Sequence, residues 1–348
     1  MAAFLGTLNS NEIFSGLFNM IISQEVFADN IKGAYKTLAD RSRVDGGMYG
    51  DTKLYYSTDA LVSHAWGADS EATNLLALDR PADPECQAIT INIFRQIRLS
   101  TDNYMTKRAW IDQGAFTSFN SIMLGWIRDT KKIYDATTFN AFLGTDETTV
   151  GEQQMTIAAV PGQNPALTIA EALATLLVAL KDVSRDYNDY QHIRSYDEGD
   201  LIVVWNAEFL AQLKKVDLPV IFHKEGLLEE FEQETLPARY FGTINSAATA
   251  GDGSTVRSLV EQVIGTNHYF AGDLIDVSDT APAGTSYTVD ADIAFKVMHK
   301  RSVPFMSSFE AGTSFFNPRS LTENHYLTWS HNTLEHLKNY PFITARYQ

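Results

Sequence analysis

The chain has 348 residues, 45% of them hydrophobic, enough to bury a sizeable core and to exclude a disordered polypeptide. Lysine and arginine number 27 against 43 aspartates and glutamates, a net charge of −16, which argues against a surface built to grip phosphates. The single cysteine, Cys86, excludes an intrachain disulfide or a cysteine-built metal cluster, and the longest wholly apolar runs, such as 176–180, fall far short of the roughly 20 residues of a membrane helix.

Residues 1–8 lack a basic stretch, so no signal peptide is expected. Residues 9–38 place Ile13, Phe14, Leu17, Phe18, Ile21, Ile22, Val26 and Phe27 at helical spacing, with Asn9 and Glu12 as a capping pair. Nothing folded precedes this stretch, so it reads as an arm laid on a neighbour. Residues 44–84 are irregular: Gly46, Gly47 and Gly50 permit turns, and Pro81 and Pro84 stop regular structure. Loops of such length are usually functional or disordered, and Tyr49, Tyr55, Tyr56 and Trp66 in this one favour the functional reading. The run Ala88-Ile89-Thr90-Ile91-Asn92-Ile93 alternates with period two and predicts a half-buried strand, so 44–99 reads as a long hairpin.

The spacing then predicts a long helix over 112–134, with Phe119, Ile122, Met123 and Trp126 on its core face. Residues 135–143 are expected as a second short helix. A polar break ends in Pro161-Gly162, and Thr168 with Glu171 is a capping box that opens another helix, with Ile169, Leu173, Leu176, Leu177 and Leu180 as its core. The continuous apolar run 201–205 marks a buried central strand, and Asn206 caps a short helix through Phe209, Leu210 and Leu213. Further strands are expected at 220–222, 293–298 and, as the final one, around 326–329; a brief helix is expected at 257–264.

Catalytic motifs are largely missing: there is no phosphate-cradling GxxxxGK[ST], no GxSxG elbow and no HExxH. Asp273, Asp276 and Asp279 lack the spacing of a calcium loop. His331 and His336 are five apart and read as packing residues. Asp197, Glu198 and Asp200 are the one carboxylate group that acid–base chemistry could use, and a hydrolase on an α/β domain is the alternative reading they support. No cofactor is implied.

Two stretches carry a resemblance. One is Arg185-Asp186-Tyr187-Asn188-Asp189-Tyr190 leading into 200–206 and a helix that ends Leu213-Lys214-Lys215; the other is 316–329. With the order of elements, they resemble the major capsid proteins of tailed bacteriophages with the HK97 fold, the short-tailed phages in particular. The resemblance implies an α+β capsid fold: an N-terminal arm (1–43), an extended loop (44–99), a peripheral domain with a long spine helix (100–164 and 286–348), and an axial domain with a central sheet (165–285). It implies pentamers and hexamers of the chain itself in an icosahedral shell around double-stranded DNA, without sequence-specific binding and without a membrane; another virion component, a tail or connector protein, is a further alternative. Phe14, Phe18, Tyr49, Tyr55, Tyr56 and Trp66 would then be assembly contacts. A portal and a separate scaffolding protein are the expected partners; the chain starts almost directly at the arm, so scaffolding is expected to be a separate protein or absent. No lysine–asparagine cross-linking pair maps onto the chain, so assembly is expected to be non-covalent. Synthesis in the host cytoplasm and residence in the virion capsid follow from the same resemblance.

Overall fold

Leu201–Asn206 and Ile293–His299 are buried at every position, which a strand tolerates only when both faces of its sheet are covered. The computed structural model describes residues 36–46, 52–63, 80–102, 113–146, 153–215, 232–245 and 286–348. Their elements in chain order are α1 (Lys36–Arg41), β1 (Arg43–Asp45), β2 (Thr52–Ser57), β3 (Glu85–Asp102), α2 (Gln113–Gly144), β4 (Thr145–Asp146), β5 (Gln153–Ile157) and α3 (Pro165–Lys181). Then follow β6 (Leu201–Asn206), α4 (Ala207–Lys215), β7 (Glu232–Leu236), β8 (Gly242–Asn245), β9 (Ser286–Val289), β10 (Ile293–His299), β11 (Phe305–Asn317), β12 (Thr322–Asn332) and β13 (Phe342–Tyr347). The fold is α+β, and the chain divides into two compact units.

The larger unit comprises Thr52–Thr90, Phe139–Phe305 and Thr333–Gln348. Its central sheet runs β5-β13-β10-β6-β7. β13 and β6 flank β10 antiparallel, while the outer pairs β13–β5 and β6–β7 are parallel. α3 lays Ile169, Leu173, Leu176, Leu177 and Leu180 on one face, against Leu201, Val203, Trp205, Phe295, Val297, Ile343 and Ala345. The last turns of α2 cover the opposite face: Phe142 meets Phe342 at 6.4 Å between ring centroids, and the buried Lys296 donates from Nζ to the Thr145 carbonyl at 2.6 Å. Gly144 ends α2 beside Tyr240, whose carbonyl oxygen would lie 2.0 Å from any added Cβ. A small sheet, β4-β8-β9, adjoins that point.

The smaller unit comprises Met1–Asp51, Ile91–Thr138 and Met306–Asn332. Here β11 and β12 form an antiparallel hairpin, and β12 pairs along Ile91–Asp102 of β3. β1 joins the outer side of β11. The sheet turns Trp329 and His331 toward α2. Tyr134 meets Trp329 edge-on at 5.5 Å, and its hydroxyl is 2.7 Å from His331 Nε2.

Several expectations change. The helix at 112–134 and the short one after it form one helix, because burial of Phe139 and Phe142 overrides the weak propensity of Thr137 and Thr138. Trp126 is not a core residue: it is 36% exposed, and Ile127 and Tyr134 are buried instead. Neighbouring residues on a helix point about 100° apart, so Ile127 can be buried while Trp126 turns toward solvent. Ile122 is half-buried, and the side chains of Phe119 and Met123 lie outside the described residues. Asn164, not Thr168, caps α3: its Oδ1 accepts from Ala166 N at 3.2 Å, and Pro165 takes the first helical position, where its missing N–H costs nothing. The strand at 326–329 extends over β12 and is not the last, since β13 follows Pro341. Residues 286–348 do not stay together as the sequence suggests: β10 and β13 pair in the sheet of β6, whereas Met306–Asn332 belongs to the smaller unit. The expected elements at 9–35, 220–222 and 257–264 and the aspartates 273–279 lie outside the described residues.

Candidate assembly surfaces

The extended-loop region begins as a hairpin. β2 pairs antiparallel with Glu85–Thr90, so that Tyr55 faces Gln87 and Tyr56 faces Cys86 across the ladder. Leu54 and Tyr56 are exposed, Tyr55 is half-buried, and Leu61 and Val62 beyond them are among the most exposed apolar side chains described. Of the residues read as contacts, the structure thus describes Tyr55 and Tyr56; Phe14, Phe18, Tyr49 and Trp66 lie outside the described residues.

The base of this hairpin is clasped by polar groups of the larger unit. Ser57 Oγ is 2.7 Å from His192 Nδ1 and donates to Asn339 Oδ1 at 2.7 Å. Arg194 donates from Nη2 to the Thr58 carbonyl at 2.7 Å and from Nε to Asn339 at 3.2 Å. Asp59 accepts the Ile193 N–H at 2.9 Å and pairs with Arg185 at 2.6 Å. The Ile193 N–H and the Arg185 guanidinium hold the Asp59 carboxyl far below the usual carboxylate range. Asn188 closes the 188–192 turn by bonding both the N–H and the carbonyl of His192. On the other arm, Gln87 donates to the His336 carbonyl at 2.9 Å and accepts the Lys338 N–H at 3.0 Å. The stretch 185–194 is therefore a fixture for the hairpin base. The signal in the sequence was its density of Asn, Asp and Arg, which bond backbone in irregular chain.

The smaller unit presents a second hairpin. β11 and β12 end at the pair Asn317↔Thr322, and the turn carries Phe315, Phe316 and Leu321 exposed. Asn317 followed by Pro318 suits a type I turn, and Asn317 Oδ1 accepts the Arg319 N–H at 3.1 Å. Spacing alone did not single out this tip, because its small residues show no two-residue apolar alternation.

The carboxylates considered for acid–base chemistry share one turn at the surface. Asp197 and Asp200 are exposed in the turn before β6, and Glu198 pairs with Lys181 at 3.1 Å. His331 packs under Tyr134 in the smaller unit; His336 pairs with Asp189 at 2.8 Å in the larger one. Cys86 is exposed on β3. No helix among the described residues is long and apolar enough to cross a membrane.

A sequence profile of the family described as Phi29-like phage major capsid protein matches residues 7–344. No curated protein matches the chain by sequence. Among solved structures, a chain in the capsid of Staphylococcus phage Andhra is similar at TM-score 0.65 and 8% identity, over 93% of this chain and 87% of its own. A chain in the capsid of Cyanophage P-SCSP1u gives 0.51 and 10%, covering 94% of each. One in the capsid of a native GTA particle gives 0.50 and 11%, covering 99% of each. These likenesses establish the fold, which is that of HK97-like capsid chains.

Proposed function

Because this chain belongs to the Phi29-like phage major capsid protein family and is a structural, shell-forming protein of the virion capsid, we propose that its copies gather as pentamers and hexamers and close into an icosahedral shell around a double-stranded DNA genome. The observation that carries this reading is the family match over residues 7–344. In this reading 1–43 is the arm and 44–99 the extended loop. Phe14, Phe18, Tyr49, Tyr55, Tyr56 and Trp66 are the contacts through which arm and loop lie on neighbouring copies. A portal and a separate scaffolding protein complete the assembly, and the chain is made in the host cytoplasm.

The energetics support it. Each contact buries apolar surface at roughly 25 cal/mol per Å², less the cost of association, and repetition over many equivalent contacts turns modest interfaces into a stable shell. The net charge of −16 makes copies repel one another, so added salt strengthens assembly by screening. The test is size-exclusion chromatography and negative-stain electron microscopy of the purified chain at low and high salt. Capsomers that convert to closed shells are expected. A monomer or small dimer under every condition refutes the reading.

A further inference from the structure

The β2 arm of the extended-loop hairpin is seated by hydrogen bonds more than by apolar packing. Ser57 is the one fully buried residue of β2, while Leu54 and Tyr56 are exposed; β3 adds the buried Ile89. The groups around Ser57 are themselves fixed to the larger unit. Arg194 exchanges both backbone bonds with Ser184, just past α3, at 3.0 Å each. The Tyr196 hydroxyl donates to the Asn339 carbonyl at 3.1 Å, and the Asp189 N–H reaches the Lys338 carbonyl at 2.9 Å. The turns 185–194 and 336–340 are thus tied together as one frame. Both arms of the hairpin enter it, β2 through Ser57, Thr58 and Asp59 and β3 through Gln87.

Every proton around Ser57 has a fixed direction. Arg194 can only donate, so the Asn339 side-chain atom it reaches is the oxygen. Ser57 gives its single proton to that same oxygen and accepts from Arg194 Nη2 at 3.2 Å. His192 Nδ1, 2.7 Å from the hydroxyl, is left to donate. Asn339 Oδ1 is the hub, since it serves both Ser57 and Arg194. This matters for direction. Apolar burial is non-directional, so a hairpin resting on apolar surface can slide or tilt at little cost. A hydrogen bond weakens steeply as its angle departs from linear, and a buried hydroxyl with all its bonding capacity committed holds the strand at one angle.

Resting on the reading of 44–99 as the loop that lies on a neighbouring copy, we propose that Ser57, His192, Arg194 and Asn339 are positioning residues for assembly: they aim the extended loop within its own subunit before copies meet, and act through the loop instead of touching the neighbour. An aimed loop binds with its full affinity, whereas one that points correctly for a fraction of the time binds more weakly by that fraction.

Spin labels on Val62→Cys and Val178→Cys, two exposed positions of the larger unit, in a Cys86→Ser background report the aim directly in the unassembled subunit. With the clasp intact, pulsed electron paramagnetic resonance should give one narrow distance distribution. Ser57→Ala and Asn339→Leu should each broaden it. In the unlabelled chain the same two changes should raise the critical concentration for assembly, read by light scattering and negative-stain microscopy, by about fivefold or more, the factor for a loop that is correctly aimed about a fifth of the time or less. Asn339→Asp keeps an oxygen facing Ser57 and Arg194, so both readings should stay near wild type. Ile169→Val, a small core loss in α3 that leaves the clasp alone, should alter neither. If Ile169→Val raises the critical concentration as far as the clasp variants do, the defect follows stability and the inference falls. It falls too if Asn339→Asp behaves like Asn339→Leu. If the clasp variants keep a narrow distribution, or broaden it and still assemble at the wild-type concentration, the inference falls while the shell reading stands. If wild type itself forms no particles, the shell reading fails and takes the inference with it.

Discussion

Replacing Arg43 with methionine should destabilise the subunit more than replacing Asp135 with asparagine, although both break the same ion pair. Arg43 Nη2 lies 2.5 Å from Asp135 Oδ2, and Lys131 Nζ lies 3.6 Å from the same oxygen. The two sides differ in exposure: the Asp135 side chain is 3% exposed and that of Arg43 31%. Arg43→Met leaves a buried carboxylate with only the more distant lysine to balance it, which should cost about 3–4 kcal/mol. Asp135→Asn leaves two cations, but Arg43 keeps solvent and Asp40 at 3.2 Å, and Lys131 keeps Glu310 at 2.6 Å. Water and these second carboxylates screen the residual charge, so the cost should be about 1–2 kcal/mol. Urea unfolding of the unassembled subunit, followed by tryptophan fluorescence, measures both. With a slope of about 1–3 kcal/mol per molar urea, Arg43→Met should lower the midpoint by about 1 M or more, and Asp135→Asn by visibly less. Equal losses, or a larger one for Asp135→Asn, would refute the argument that cost follows the burial of the charge left behind.

Leu173→Ala, at a fully buried position of α3, should cost about 2–5 kcal/mol by the same assay, whereas Val178→Ala, one of that helix's exposed residues, should stay within about 0.5 kcal/mol. His299 is buried, stacks on Tyr340 at 4.2 Å and accepts the Arg301 N–H at Nδ1. Burial lowers its pKa, against the opposing pull of Asp200 and with Arg301 and Lys300 adding to the shift. The fold therefore favours the neutral ring, so its contribution is complete above the unfolded value of about 6.5 and is lost as pH falls from there through the folded value. A midpoint-versus-pH curve should decline over that window, and His299→Gln should flatten it. Trp66→Ala, in the proposed extended loop, should leave the unfolding midpoint unchanged while raising the concentration needed to form shells; normal assembly would remove Trp66 from the contact set.

Much of the larger unit was legible because its signals are local. The apolar stripe of Ile169, Leu173, Leu176 and Leu180, the unbroken run at β6 and the cap at Asn206, whose Oδ1 accepts the Glu208 N–H at 3.1 Å, each lie within a few residues. The smaller unit was harder to read. β3 pairs with β12 from more than 200 residues away, and β11 is rich in small residues that need a partner strand to be recognised as a strand. The surfaces proposed for assembly show the same division. The aromatic content of β2 and the stretch 316–329 were visible in the sequence, while the exposure of Phe315, Phe316 and Leu321 at the β11–β12 turn emerged only from the fold.

By itself, the sequence determined the self-repelling charge, the helices whose apolar stripes repeat every turn, the strands apolar throughout, and a capsid-like order of elements. Only the tertiary structure decided which side of α2 is buried, that Trp126 turns outward, that β10 and β13 close the sheet of β6, and that 185–194 clasps the hairpin base. The physical reason is range. Side-chain periodicity records that a residue will be buried, but which surface buries it depends on chain segments hundreds of residues away, and those pairings leave no mark in the local pattern.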